Sequence, residues 1–146
     1  MIFVDTDIYV IDKLFPKDER YGDNARFLGL ESEKCTSIFN LFELLGIASY
    51  NLNEIELKKL LKGFADVYGV EILYPRTAFV SAEAFLESLL DDAFGKMTRK
   101  MGFQDALILN IAEQYNCTRF ITWNSKHFKD RTDVNVQTPK EFLEIH

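Results

Sequence analysis

Five oxygen-bearing side chains stand where a folding chain seldom places them without a chemical role: Asp5, Asp7, Glu43, Asp105 and Asn124. The first two follow the apolar run Ile2-Phe3-Val4, where a first buried strand has to end. Glu43 interrupts the apolar run IFNLFELLGI at 38–47, and only Asn40 and Gly46 share its polarity. These three are spaced three residues apart, so on a helix they form one narrow stripe. A carboxylate drawn into apolar surroundings is costly unless it is paired or bound to a metal. The plainer alternative is that the stripe faces water. Asp105 falls in the first turn after Gly102, where the helix dipole favours a carboxylate and holds it ionised. An Asp there is equally at home as a routine cap, and the same alternative covers Asp5 and Asp7. Asn124 follows FITW and offers a neutral oxygen to a hard cation, directly or through water, and Thr122 adds a hydroxyl nearby. His127 has no second His or Cys at metal spacing, which argues against zinc; it reads as a surface or packing residue beside Phe128. Trp123 suits either the core or a lid.

The elements that must position these groups follow from apolar periodicity. A strand is predicted over 1–5, then a helix over 6–15 with Ile8, Ile11, Leu14 and Phe15 on its apolar side, stopped by Pro16. A weaker helix covers 18–31. KCTS at 34–37 reads as a strand, with Ser37 capping an apolar helix over 38–50. An amphipathic helix over 53–68 carries Glu54 and Lys58 one turn apart. A strand over 70–74 meets Pro75. A long helix over 77–94 turns Phe79, Ala82, Leu86, Leu89 and Ala93 to one face, and a Gly-bounded basic connector, GKMTRKMG, follows at 95–102. A helix over 103–116 faces Ile108, Ile111, Ala112 and Tyr115 inward; strands at 118–123 and 134–137 and a helical turn at 139–145 close the chain. Strands alternating with helices imply an α/β fold with a parallel sheet covered on both faces. Ligands in such sheets bind beyond the carboxyl ends of the strands, which is where Asp5 and the residues after FITW fall.

The 146 residues fit one domain spanning 1–146, and 47% hydrophobic with 27% charged residues is a soluble globular mixture. No apolar stretch is long enough to cross a bilayer, and the N-terminus lacks the basic leader of a signal peptide. Cys35 and Cys117 show no CxxC spacing and read as small core residues in a reducing, cytoplasmic setting. A net charge of −6 and a pI of about 4.9 argue against a broad electrostatic grip on nucleic acid. An acidic protein meets an anionic substrate through a local basic patch, or through cations held among its carboxylates.

Taken in order, FVDTDI, FELLG, FQDALILNIAE, FITWNSKHF and VQTPKEFL resemble a PIN domain, the small metal-dependent ribonuclease family that includes VapC-type toxins of toxin–antitoxin pairs. The match runs from Asp5 to Leu143, nearly the whole chain. The resemblance implies a three-layer α/β/α sandwich on a mostly parallel sheet of four to five strands. It also implies that Asp5, Glu43 and Asp105 bind metal, with Asn124 in a fourth position often held by Asp. Asp7 stands where many members have Asn, to shape the first turn or touch metal through water. Asn124 removes one negative charge, which weakens a second metal site more than a first. Three carboxylates still suffice for one Mg²⁺ or Mn²⁺. The implied activity is divalent-metal-dependent endonucleolytic cleavage of RNA, with an antitoxin protein as partner and a homodimer as assembly. Lys96, Arg99 and Lys100 are candidates for phosphate contacts, against a solvated connector as the alternative. Two rival readings stand beside it. One is a catalytically weakened PIN-like protein that binds RNA or acts as a scaffold, favoured by Asn124. The other is a haloacid-dehalogenase-like phosphatase, which FVDTDI also resembles. That family wants Thr or Val where Tyr9 stands, and the acidic pair in LLDDAF lies inside a periodic helix.

Overall fold

The computed structural model describes residues 1–76, 78 and 81–146. Short strands dense in apolar side chains need cover on both faces, and they obtain it by pairing in one direction only. β1 (Ile2–Val4), β2 (Lys34–Ser37), β3 (Val70–Leu73), β4 (Arg119–Ile121) and β5 (Asn135–Gln137) form one sheet in the order β3-β2-β1-β4-β5. All four neighbouring pairs are parallel, and Phe3 is in register with Cys35 on one side and Phe120 on the other. The expectation of a mostly parallel sheet of four to five strands resolves to five, all parallel. From β1 the chain steps outward to β2 and β3, then returns to lay β4 on the other side. The switch point therefore lies between β1 and β4.

Alternation along β1 and β4 divides the core. Phe3 and Phe120 point to one face, Val4 and Ile121 to the other. On the first face, Phe3 stacks on Phe120 at 5.1 Å between ring centroids and Phe128 lies 4.7 Å from Phe120. Helices α5 (Ala82–Met97) and α6 (Phe103–Gln114) cover that face, with Ala93 and Ile108 in its cluster. On the second face α1 (Thr6–Leu14), α2 (Tyr21–Leu28), α3 (Ile38–Ala48), α4 (Glu54–Tyr68) and α7 (Pro139–Ile145) contribute Ile8, Phe27, Leu44, Phe64 and Phe142. The result is the α/β/α sandwich.

Local rules set the helix ends. Ser37 and Asn40 form a capping box at α3, Asn53 and Glu56 another at α4, and Thr138 and Glu141 a third at α7, where Pro139 sits at the first position. Helix α4 stops at Gly69, whose φ of 60° is left-handed, and Glu54 and Lys58 pair at 3.0 Å on its surface. Three sequence expectations change. Helix α5 continues through Met97, so Gly95 and Lys96 are helical rather than part of a connector. Leu86, expected on its inner face, is 52% exposed, while Phe79 lies outside the described residues. Helix α6 is buried without interruption from Ala106 to Ala112, because it is enclosed by α5, the sheet and part of α3; a one-sided periodicity understates this. After β4 the chain forms two short 3-10 turns, Ser125–His127 and Lys129–Arg131. Among the described residues no helix is long and apolar enough to cross a membrane.

Phe120 is fully buried between two aromatic rings. Phe120→Ala should cost about 3–5 kcal/mol, read as a lower urea midpoint with an unchanged denaturant slope; a loss below about 1 kcal/mol would contradict this packing.

Candidate metal centre at the strand ends

Asp5 is the first residue beyond β1 and the N-cap of α1, so its backbone site follows from the strand-to-helix turn itself. Its carboxylate is buried and nearly enclosed by donors. Oδ1 accepts from Thr6 N at 2.8 Å and from Asn40 Nδ2 at 3.1 Å, and Oδ2 lies 2.8 Å from Thr122 Oγ1. Asn40 is itself fixed: its Oδ1 accepts from Ser37 N at 3.1 Å and Ser37 Oγ at 2.5 Å, and its Nδ2 also reaches Thr6 Oγ1 at 2.9 Å. Asp7, in the first turn of α1, places Oδ2 3.0 Å from Thr122 Oγ1 and 2.9 Å from Trp123 N. Its Oδ1 is buried with no partner. Thr122 has a single hydroxyl proton for two carboxylates, so at any instant one of them lacks that bond.

Glu43 enters from α3 and Asp105 from the first turn of α6; both are half-buried. The four acids share one electrostatic field. Burial raises the Asp5 carboxyl well above its usual range, and the charges of Asp7 and Asp105 add to this against the Thr122 and Thr6 bonds. Burial pushes Asp7 to about 6, opposed by Thr122, by the N–H groups of Trp123 and Asn124, and by the charge of Arg20. Glu43 is raised by burial and then by Asp105, with the Thr6 hydroxyl opposing. Asp105 is raised by burial, with His127 opposing. Among the described residues five salt bridges form, and none includes Asp5, Asp7, Glu43 or Asp105.

The remaining sequence candidates differ in how they relate to this core. Asn124 is exposed, and its backbone N–H, 3.1 Å from Thr122 Oγ1, is also one of the groups that oppose the rise at Asp7, so the residue stands beside the acids. His127 is exposed, and its charge reaches Asp105. Trp123 packs on the second face, with Nε1 donating to Asn24 at 2.8 Å, which makes it a core edge rather than a lid. Lys96 is half-buried and bound to Glu113 Oε2 at 2.8 Å, so it is not a free cation; Arg99 and Lys100 remain exposed. Asp91 and Asp92, the pair a phosphatase would need, are exposed on α5, and neither is among the charges that act on Asp5. Two positioning groups escaped sequence reasoning. Asn40 was visible as the Ser-x-x-Asn partner of Ser37, but its reach back to Asp5 spans 35 residues. Arg20, held bidentate by Asp18 at 2.8 and 2.9 Å and set 5.9 Å from the Trp123 ring, carried no signal in its spacing.

The donors suit a hard divalent cation: all are carboxylate oxygens, no salt bridge among the described residues neutralises them, and one is an orphaned buried atom. They do not form a finished cage. Among the described residues no three His, Cys, Asp or Glu side chains stand at distances that would hold an ion.

The all-parallel five-stranded sandwich matches a PIN-like fold. Among solved structures the chain is similar to VapBC2 from Rickettsia felis, determined bound to a DNA fragment from their promoter, with 20% identity, a TM-score of 0.62 and coverage of 94% of this chain and 98% of that one. It is equally similar to VapBC-1 from nontypeable Haemophilus influenzae, at 21% identity, a TM-score of 0.62 and coverage of 96% and 99%. FitAcB from Neisseria gonorrhoeae matches at 17% identity and a TM-score of 0.62, again with 96% and 99% covered. At such identities it is the fold that is shared. No family model and no curated protein matches the sequence.

The raised carboxyls give stability a definite pH dependence. Below about pH 4 Asp7 is protonated whether folded or not; between 3.8 and about 6 the folded state binds more protons, so stability falls as pH rises. Above that interval Asp7 alone costs on the order of 3 kcal/mol. Metal-free protein should therefore melt lower as pH rises through this window, and Asp7→Asn should flatten the fall. Millimolar Mn²⁺ should raise the melting temperature near neutrality and have a smaller effect at about pH 4.5, where Asp7 is protonated and metal competes with protons for the raised carboxyls. An Mn²⁺ effect of the same size at both pH values would refute the carboxylate origin.

Proposed function

We propose that this protein is a divalent-metal-dependent endoribonuclease acting as the toxin of a toxin–antitoxin pair. One observation carries the reading: acids from β1, α1, α3 and α6 share a field at the carboxyl edge of the sheet, and among the described residues no lysine or arginine neutralises them by a salt bridge. Solved toxin–antitoxin structures of the same fold support the partner class. When bound, Mg²⁺ or Mn²⁺ supplies a more acidic water and neutralises charge that builds on the scissile phosphate. Asp5, Glu43 and Asp105 would hold the ion, with Asn124 as an outer oxygen and Asp7 oriented from beneath by Thr122 and Trp123 N–H. Asn40, Ser37 and Thr122 keep Asp5 from turning away. Arg99 and Lys100, exposed between α5 and α6, would take flanking phosphates of the RNA without reading sequence. An exposed apolar row on α5, formed by Leu86, Leu90, Phe94 and Met97, supports a homodimer.

The weakened, RNA-binding or scaffolding alternative has its own support. The acids are not preset around an ion, and Asn124 brings no charge to them. A calorimetric Mn²⁺ titration separates the two: binding with chelator-sensitive cleavage of mixed small RNAs supports the nuclease, and RNA binding without metal uptake supports the scaffold.

Asp5→Asn, Glu43→Gln and Asp105→Asn should each reduce cleavage at least about 100-fold with unchanged circular dichroism. Retention of most activity by pure Asp5→Asn protein would overturn the assignment. The double variant R99E/K100E should raise the KM for RNA several-fold with kcat kept. K96E should instead lower the melting temperature, because it sets two carboxylates against each other at Glu113.

A further inference from the structure

Two nucleophilic side chains that the carboxylate centre does not use are in contact. Cys35 lies in β2 and is fully shielded; Cys117 lies in the turn that carries the chain from α6 into β4. Both thiols are free, and their sulfurs are 3.7 Å apart although 82 residues separate them in sequence. The contact is built by the fold. Asn116, left-handed at φ 52°, turns the chain; Cys117 N donates to Ala112 O at 3.0 Å and Thr118 N to Met1 O at 3.1 Å. The Cys117 turn is thereby pinned beside the start of β1, against which Cys35 lies from the other side, with Sγ 3.6 Å from Ile2 O.

The two thiols are not equivalent. Cys117 lies at the wall of an open cavity of about 1060 Å³ whose rim carries both signs of charge, with Arg99, Arg119, Lys129 and Arg131 beside Glu113, Asp130 and Asp133. Cys35 does not line that cavity and has no exposed surface of its own. The hydrogen bond between them splits their acidities: it holds the Cys117 thiol below its ordinary range, and it pushes Cys35 up together with burial. Cys117, which lines the cavity while Cys35 is fully shielded, is therefore the one an oxidant entering from solvent meets first.

We propose that Cys35 and Cys117 form a reversible oxidation site that takes hydrogen peroxide through this cavity. The Cys117 thiolate attacks one peroxide oxygen and the O–O bond breaks. Cys117 becomes a sulfenic acid, and the departing hydroxide takes a proton to leave as water. Cys35 then loses its proton and attacks the Cys117 sulfur, the S–O bond breaks, and a second water departs as the S–S bond forms. Two thiols are oxidised and one peroxide is reduced to two waters. The sulfurs must close from 3.7 Å to about 2.05 Å, a movement that side-chain rotation and a small shift of the turn can supply. A thiol reductant restores both groups, so in a reducing compartment the bridge is transient. The link ties β2 to the entry of β4 across β1, at the opposite end of these strands from Asp5.

Reduced, folded protein is treated with peroxide, quenched, digested without reductant and read by mass spectrometry. The expected product has lost two hydrogens, yields a Cys35–Cys117 cross-linked peptide, and reverts with dithiothreitol. C35S should stop at a Cys117 sulfenic acid captured by dimedone, and C117S should leave Cys35 reacting at least about 10-fold more slowly. If the serine in the core prevents folding, C35A serves the same purpose. A folded wild type that forms no link while its urea-unfolded chain oxidises, or dimedone capture at Cys35 instead of Cys117, overturns the proposal.

Discussion

The structure depends on one interaction: a carboxylate, Asp5, held in the interior by a ring of donors rather than by an opposite charge. Three segments distant in sequence each supply a donor, namely Thr6 N at the start of α1, Asn40 Nδ2 from α3 and Thr122 Oγ1 beyond β4. Neutral donors satisfy the oxygens without cancelling the charge, whereas a buried lysine or arginine would satisfy both at once. Because the charge is left over, Asp7 and Asp105 raise the cost of ionisation instead of relieving it. The apoprotein accepts strain at this edge of the sheet, and a fold with two separate aromatic-rich cores can carry it.

An overall acidic chain that handles an anion needs something between the two. The exposed cations nearest in sequence to Asp105 are few once Lys96 is committed to Glu113. Under the proposed nuclease reading, bulk electrostatics would repel RNA, so the field it meets would have to be reversed locally, at the acids themselves. The same groups that make the net charge unfavourable are thus the ones able to recruit the cation that overcomes it.

Much of this was legible in the sequence, and for identifiable reasons. Asp5 could be placed because an apolar run that stops at an acid marks the carboxyl end of a buried strand, and the alternation of elements set the layer order. Glu43 stood out against an apolar helix. The legible signals were short-range. Asn40 caps its own helix in a pattern four residues long, yet its second amide contact reaches Asp5 across 35 residues. Arg20 sits in an ordinary polar turn, and only the folded path brings its charge to Asp7. Asp105 read as a helix-start acid because the first turn is a local feature, while the burial that raises its carboxyl is not. Lys96 read as part of a connector because Gly95 looked like a break, but an exposed glycine inside a helix costs only about 1 kcal/mol and packing at Ala93 carries the helix past it. Cys35 and Cys117 were each assigned correctly to the interior, but no one-dimensional pattern foretells that they meet.

The sequestration of α6 gives the two sides of the acid cleft different mechanical characters. Asp105 is anchored to a helix walled in from Ala106 to Ala112, so it shifts only when the whole domain loosens. Across from it, the turn that bears Asn124, Lys126 and His127 is open to solvent. A substitution in the turn after β4 is therefore met mainly by solvent, while one beside Asp105 is resisted by the packed helix that follows it.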